Sequence, residues 1–240
     1  MLVFIAFLLL IFGAMFVQSL TGFGGPLLAM PIAIVLVGVE NARPTVTVAA
    51  IIAGALVAIP RYKDINWKKL LIMTSVMMAG VIAGDLLLGV LNITWLLVFY
   101  GIVVLVIGGK RLLFPKSPTL PVPGQYCALG AAGIMQGMFT SGGSFLVLYA
   151  VEQIKEKKEF RATVSAVWVP LNVYLLTKFA CTGVFTAESL KLSAAMIIPE
   201  LAAIWLAGRL VNKLNQATFL RITYITLTVS GVVLIINSLM

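Results

Sequence analysis

Apolar runs about twenty residues long recur from one end of this chain to the other. That repetition leaves few folds open, because roughly 17–25 apolar residues are what a helix needs to cross bilayer hydrocarbon. Composition agrees: 61% of the 240 residues are hydrophobic and only 10% are charged, where soluble domains carry about 25% charged residues. An outer-membrane barrel would show alternating segments of about ten residues, and none occurs. The expected fold class is therefore an all-α polytopic membrane protein without a separate soluble domain. The opening MLVFIAFLLLIFGAMF lacks a basic n-region and a small-residue cleavage site. It reads as a membrane segment and not as a signal peptide.

Two stretches interrupt these runs with residues that suit a helix interior poorly. QSLTGFGGPL (18–27) holds Gly22, Gly24, Gly25 and Pro26, and QGMFTSGGSF (136–145) repeats the pattern 118 positions later. In that register Gln18 falls on Gln136, Gly24 and Gly25 on Gly142 and Gly143, and Arg43, Thr45, Val46 and Thr47 on Arg161, Thr163, Val164 and Ser165. At a slightly larger shift AGDLLLGVLN (83–92) resembles AGRLVNKLNQ (207–216). The chain reads as a first repeat (1–114), a cytoplasmic linker (115–124) and a second repeat (125–240). The elements run roughly 2–20, 25–39, 43–60, 69–91 and 94–113, then 125–138, 143–154, 161–182, 189–211 and 217–239. The second repeat's opening pair is short, each member covering only about 20 Å of a core about 30 Å thick.

Charge sets the topology. If the opening pair of each repeat exchanges sides an even number of times, by crossing twice or by re-entering, one side collects 14 of the 17 basic residues. The other keeps Arg43, Lys178 and Lys191. That is a positive-inside signal with both termini outside. Each repeat then exchanges sides an odd number of times, so the second is inverted relative to the first. Inverted repeats with broken helices are the architecture of many secondary transporters.

Interrupted backbone at membrane depth is tolerated where it is buried in protein or lines a cavity. Glycines let amides face a ligand without a Cβ in the way. Pro26 suits a first helical position. A helix starting there aims free N–H groups and its positive dipole end into the break, as does one starting at Gly143–Ser144. The candidate oxyanion cradle is Gln18, Thr21, Gly22, Gly24, Gly25, Gln136, Thr140, Ser141, Gly142, Gly143 and Ser144. The bland reading of such glycines is close helix packing. Arg43 and Arg161 are candidates for drawing anions into opposite mouths, or for snorkelling to their own interfaces. Thr45, Thr47, Thr163 and Ser165 either line the path or bond back to their helices. Asn172 is either a substrate contact or glue between helices.

Glu200, far inside its element, is a candidate for proton coupling, since an intramembrane carboxyl is by default a functional hypothesis. Its structural alternative is a partnership with Lys178 or Asn172. Asp85 reads as an interfacial charge, and Trp168 and Trp205 as packing residues. Histidine is absent, and Cys127 and Cys181 form no CxxC pair. They read as packing thiols. No metal, disulfide or cofactor is expected. Without a nucleophile, base and metal cluster an enzyme is not expected either. The net charge of +9 sits in short loops and is explained by topology, not by nucleic acid.

The segments SLTGFGGP and GMFTSGGS, with ARPTVTV and FRATVSA opening the next helices, resemble the TauE/SafE family of membrane permeases. INWKKLL, GVIAGDLLL, LAGRLVNKL and FLRITYITLTVSGVVLII fit its pattern over nearly the whole chain. The resemblance implies export of sulfite or a small organosulfonate across a bacterial cytoplasmic (inner) membrane. It maps the family's glycine-rich segments onto Gly22, Gly24, Gly25, Gly142 and Gly143, with departures at Pro26 and Ser144. The expected function is a secondary transporter working by alternating access, with a passive small-anion channel as the alternative. The expected partners are a small anion and the lipid bilayer, with a homodimer left open.

Overall fold

The computed structural model describes residues 1–87, 93–114 and 120–239. The first half of the expected linker 115–124, and the end of the match at 83–92, lie outside the described residues. The chain folds into helices α1 (Leu2–Thr21), α2 (Gly25–Val37), α3 (Val39–Ala58), α4 (Trp67–Leu87), α5 (Ile93–Leu113), α6 (Val122–Phe139), α7 (Gly143–Gln153), α8 (Lys157–Cys181), α9 (Ala187–Ala195), α10 (Ile197–Lys213) and α11 (Gln216–Leu239). A short 3-10 segment, Ile59–Asp64, follows α3.

Five described helical stretches are long and apolar enough to cross a membrane: Leu2–Thr21, Val39–Asp64, Trp67–Leu87, Lys157–Cys181 and Ala187–Lys213. Large apolar side chains cover the outer surface, among them Leu9, Leu71, Leu86, Ile198 and Val229. In water such a surface would aggregate; in lipid it is the solvated face. With this all-helical architecture, the chain is a polytopic membrane protein.

Local chemistry sets the ends of the elements. α1 stops at Gly22 (φ 92) and α2 starts after Gly24 (φ 89), two left-handed positions that disfavour a Cβ. With 13 and 11 residues, α2 and α7 are only about 20 Å and 16 Å long. The expected single element 189–211 is instead two helices, α9 and α10, meeting at Met196. Pro199 explains this, because it offers no N–H to the carbonyl of Ala195 and its ring crowds that oxygen.

Packing between the halves follows a pattern. α3 lies on α8, and α5 on α11. α4 packs on α6 as α10 packs on α1, and α4 touches α8 as α9 and α10 touch α3. Exchanging α1–α5 with α6–α11 in order therefore carries each of these contacts onto itself or onto another of the set. Among the described residues the contacts of α2 with α11, and of α1 with α3, α8 and α11, stand outside the pattern. Loop 61–69 lies against loop 152–161. The Asn66 side chain donates to Glu159 at 2.6 Å, the Asn66 amide donates to Thr163 Oγ1 at 2.9 Å, and Lys69 donates to Gln153.

Two further expectations fail here. Cys127 and Cys181 are free thiols on the exposed surface, not packing residues. Trp205 is 57% exposed, with the Arg209 guanidinium 3.8 Å from its ring centroid. Both changes follow from the lipid-facing side of a helix being apolar too, so that hydrophobicity alone does not separate core from surface.

Candidate functional site

The two interruptions meet. A Cβ built on Gly143 would lie 3.5 Å from the Gly24 amide nitrogen and from Phe23 Cβ. Each break joins a long helix to a short one, and both are buried: Thr21, Thr140 and Ser144 are at most 1% exposed, and Gln18 and Gln136 at most 2%. Among the described residues, the amides of Gly24, Gly25 and Leu27 donate to no protein acceptor. The hydroxyls of Thr140, Ser144 and Ser19 and the carbonyl oxygen of Gln18 are also without partners. Buried polar groups normally find one. The Gln18 oxygen can only accept, but the open amides and hydroxyls are donors, and together they suit an anion.

The second break is the more tightly held. Thr140 adopts a left-handed conformation (φ 54), unusual for a β-branched residue. Gln136 accepts from the Gly142 amide at 3.1 Å and donates to Asn172 Oδ1 at 3.0 Å. Asn172 in turn donates to the Trp168 carbonyl at 2.9 Å. The Trp168 indole then donates to the Gly22 carbonyl at 2.8 Å. One chain of hydrogen bonds thus runs from one break through α8 to the other. In the first break Gln18 makes only a long contact with the Ala50 carbonyl, at 3.5 Å. Thr21 bonds the Val17 and Phe23 carbonyls, fixing the turn.

The two arginines differ. Arg161 is 2% exposed. Its Nε donates to the Ser19 carbonyl at 2.5 Å, which places it beside the first break, and its Nη1 has no partner. Arg43 is half-buried, its guanidinium 5.2 Å from the Phe179 ring centroid. Thr47 bonds back to its own helix at 2.8 Å, Thr45 reaches the Ser189 carbonyl at 3.3 Å, and Ser165 Oγ is unpartnered.

Glu200 is fully buried on α10. It lies beside the Ala53 amide of α3, with neither oxygen in a hydrogen bond of normal geometry. The partnerships with Lys178 and Asn172 that the sequence left open do not form. Lys178 pairs with Asp85, and Asn172 serves Gln136. Asp85 is thereby more than an interfacial charge, since it ties α4 to α8. The Trp168 contact was invisible in the sequence because its acceptor lies 146 residues away.

A model of the family described as "Sulfite exporter TauE/SafE" matches residues 7–234, spanning both breaks. The chain belongs to the TauE/SafE family. No curated protein and no solved structure matched it. TauE/SafE members are membrane transporters of sulfite or related anions, and the cradle at the junction of α1–α2 and α6–α7 lies inside the matched region.

Proposed function

We propose that this TauE/SafE protein is a secondary transporter exporting a small sulfur oxyanion or organosulfonate from the bacterial cytoplasm. It works by alternating access around the two joined breaks, within two inverted modules, 1–114 and 125–240. The observation that carries the reading is the meeting of two interrupted helices whose buried amides and hydroxyls lack protein acceptors. An uncharged cradle of donors holds a small anion and still releases it, which a carrier cycle requires. Complete burial of the break supports a carrier over a pore, because a pore held open would keep these groups wet.

The substrate-contacting groups in this reading are the Gly24, Gly25, Gly143 and Ser144 backbone and the Thr140, Ser141 and Ser144 hydroxyls. Arg161 serves the approach, while Gln136 and Asn172 position the second break. Glu200 is assigned to proton coupling, as a lone buried carboxyl on a helix packed against α1.

Efflux of sulfite from proteoliposomes tests this. Saturating flux is expected, lowered about tenfold in Gly24→Ala by strain at a left-handed position. Resolvable unitary currents would establish the pore instead. Absence of flux for sulfite, thiosulfate and sulfoacetate with folded protein would remove the reading. Glu200→Gln is expected to abolish the response to an imposed pH gradient while flux down an anion gradient persists. An unchanged pH response would take Glu200 out of the mechanism.

A further inference from the structure

Apart from the breaks, one cavity gathers positive charge. Arg61 after α3, Lys157, Lys158 and Arg161 at the start of α8, and Val211 and Asn212 near the end of α10 line a small, partly open cavity of about 50 Å³. Among the described residues no carboxylate pairs with any of its four cations. The nearby Glu159 carboxylate is held by Asn66. Lys157 is committed to the final carbonyls of α10, donating to Val211 at 3.0 Å and Leu214 at 2.6 Å. Arg61 and Lys158 have no partner, and Arg161, 2% exposed, keeps Nη1 open. Like charges gathered without counter-ions cost free energy unless an anion joins them.

The opposite face shows what the same frame looks like without this device. At the 118-residue shift, Arg161 corresponds to Arg43, Arg61 to Phe179, Lys157 to Val39 and Lys158 to Glu40. Arg43 indeed lies over Phe179, as Arg161 shares its cavity with Arg61. The geometry is kept while three of the four charges are lost.

We propose that this cavity is a receiving station for a free oxyanion of the sulfite or sulfate type, on the face carrying the basic loops and ahead of the breaks. Arg161 links the two places, because it lines the cavity while its Nε holds the Ser19 carbonyl at the first break. Binding in the cavity stands by itself; the receiving role rests on the transport reading above. An anionic lipid headgroup has the same oxyanion chemistry, and the test separates the two sources.

The full chain in detergent is titrated calorimetrically with sodium sulfate and, separately, with short-chain phosphatidylglycerol. Sulfate binding is expected, weakened about tenfold or more in Arg61→Gln/Lys158→Gln through loss of charge-assisted bonds. Lys63→Gln/Lys68→Gln removes equal charge outside the cavity and is expected to leave binding unaltered. Neither Arg61 nor Lys158 is buried, so the melting temperature should hold. Unchanged sulfate binding in the cavity pair, or equal weakening in both pairs, overturns the site. Binding of the lipid without sulfate overturns the free-anion assignment. In proteoliposomes the cavity pair should raise KM for anion offered on the basic face, leaving kcat and the opposite-face KM as they were. A wild type that binds sulfate in the cavity but moves no anion would remove the transport reading and leave the site.

Discussion

At the scale of single residues, the two glycines opening α7 do different things. A Cβ on Gly142 would overlap the Ala132 carbonyl and come within 3.0 Å of Gln136 Cβ. One on Gly143 would meet only ordinary contacts, at 3.5 Å, across the junction of the breaks. Gly142→Ala should therefore cost about 1–3 kcal/mol by overpacking. Gly143→Ala should stay within about 0.5 kcal/mol of wild type yet lose most transport, because its methyl enters the space an anion would use. Melting in detergent beside sulfite flux separates them, and a Gly143→Ala protein with full flux would remove that backbone from the cradle. The doubled glycines were legible because glycine and glutamine, repeated in register inside apolar runs, are costly there unless the backbone has to break. The Trp168 bond to Gly22 and the Arg61–Lys158 cavity were not, since they join residues from distant segments. Arginine equivalence was legible as position but not as environment, because Phe179 and Arg61 occupy corresponding places with opposite chemistry.

At the scale of elements, close approach of helices depends on glycines outside the breaks. Gly80 and Gly84 on α4 face Gly133 and Gly137 on α6. A Cβ on Gly84 would come 2.9 Å from Ile134 Cα, and one on Gly133 2.8 Å from Met77 Cα. With small residues four apart on both helices, the backbones themselves make the contact, the usual solution in lipid where no hydrophobic force drives association. Gly137→Leu should force the pair apart and cost about 3 kcal/mol. Gly130→Ala, on the same helix with nothing within 4 Å, should gain about 0.5–1 kcal/mol from backbone entropy. Equal melting temperatures for the two variants would contradict the close-contact account. Helix bounds were largely readable from apolar runs and glycine stops. The division of 189–211 was missed because Pro199 stands near the start of α10, where a sequence pattern reads as continuous until the carbonyl of Ala195 is placed.

At the scale of the molecule, inversion of the repeats turns on parity. Loops 61–69 and 152–161 touch through Asn66, Glu159, Thr163, Lys69 and Gln153, and a bilayer cannot pass between residues in hydrogen-bond contact. The chain between them must therefore exchange sides an even number of times, which α4 and α5 satisfy if α6 and α7 cross together or return together. If α1 and α2 behave alike they add another even number, and with one crossing each by α3, α4 and α5 the second repeat would begin on the side opposite the first. The paired contacts of α4 with α6 and α10 with α1 are what a two-fold axis between the halves would produce, and the parity decides whether that axis lies in the membrane plane. Labelling tests this chain of steps. In a Cys127→Ser/Cys181→Ser background, needed because both thiols are exposed, Lys63→Cys and Lys155→Cys should react with an impermeant reagent from one side of oriented vesicles. Lys191→Cys, at an exposed position on α9, should react from the other. Asn66→Cys with Glu159→Cys should also be joined by a short bifunctional thiol reagent, since the native side chains meet at their tips. Reaction of Lys63→Cys and Lys155→Cys from opposite sides would break the parity. It would also leave the cationic cavity spanning both faces, where it could not receive an anion from either.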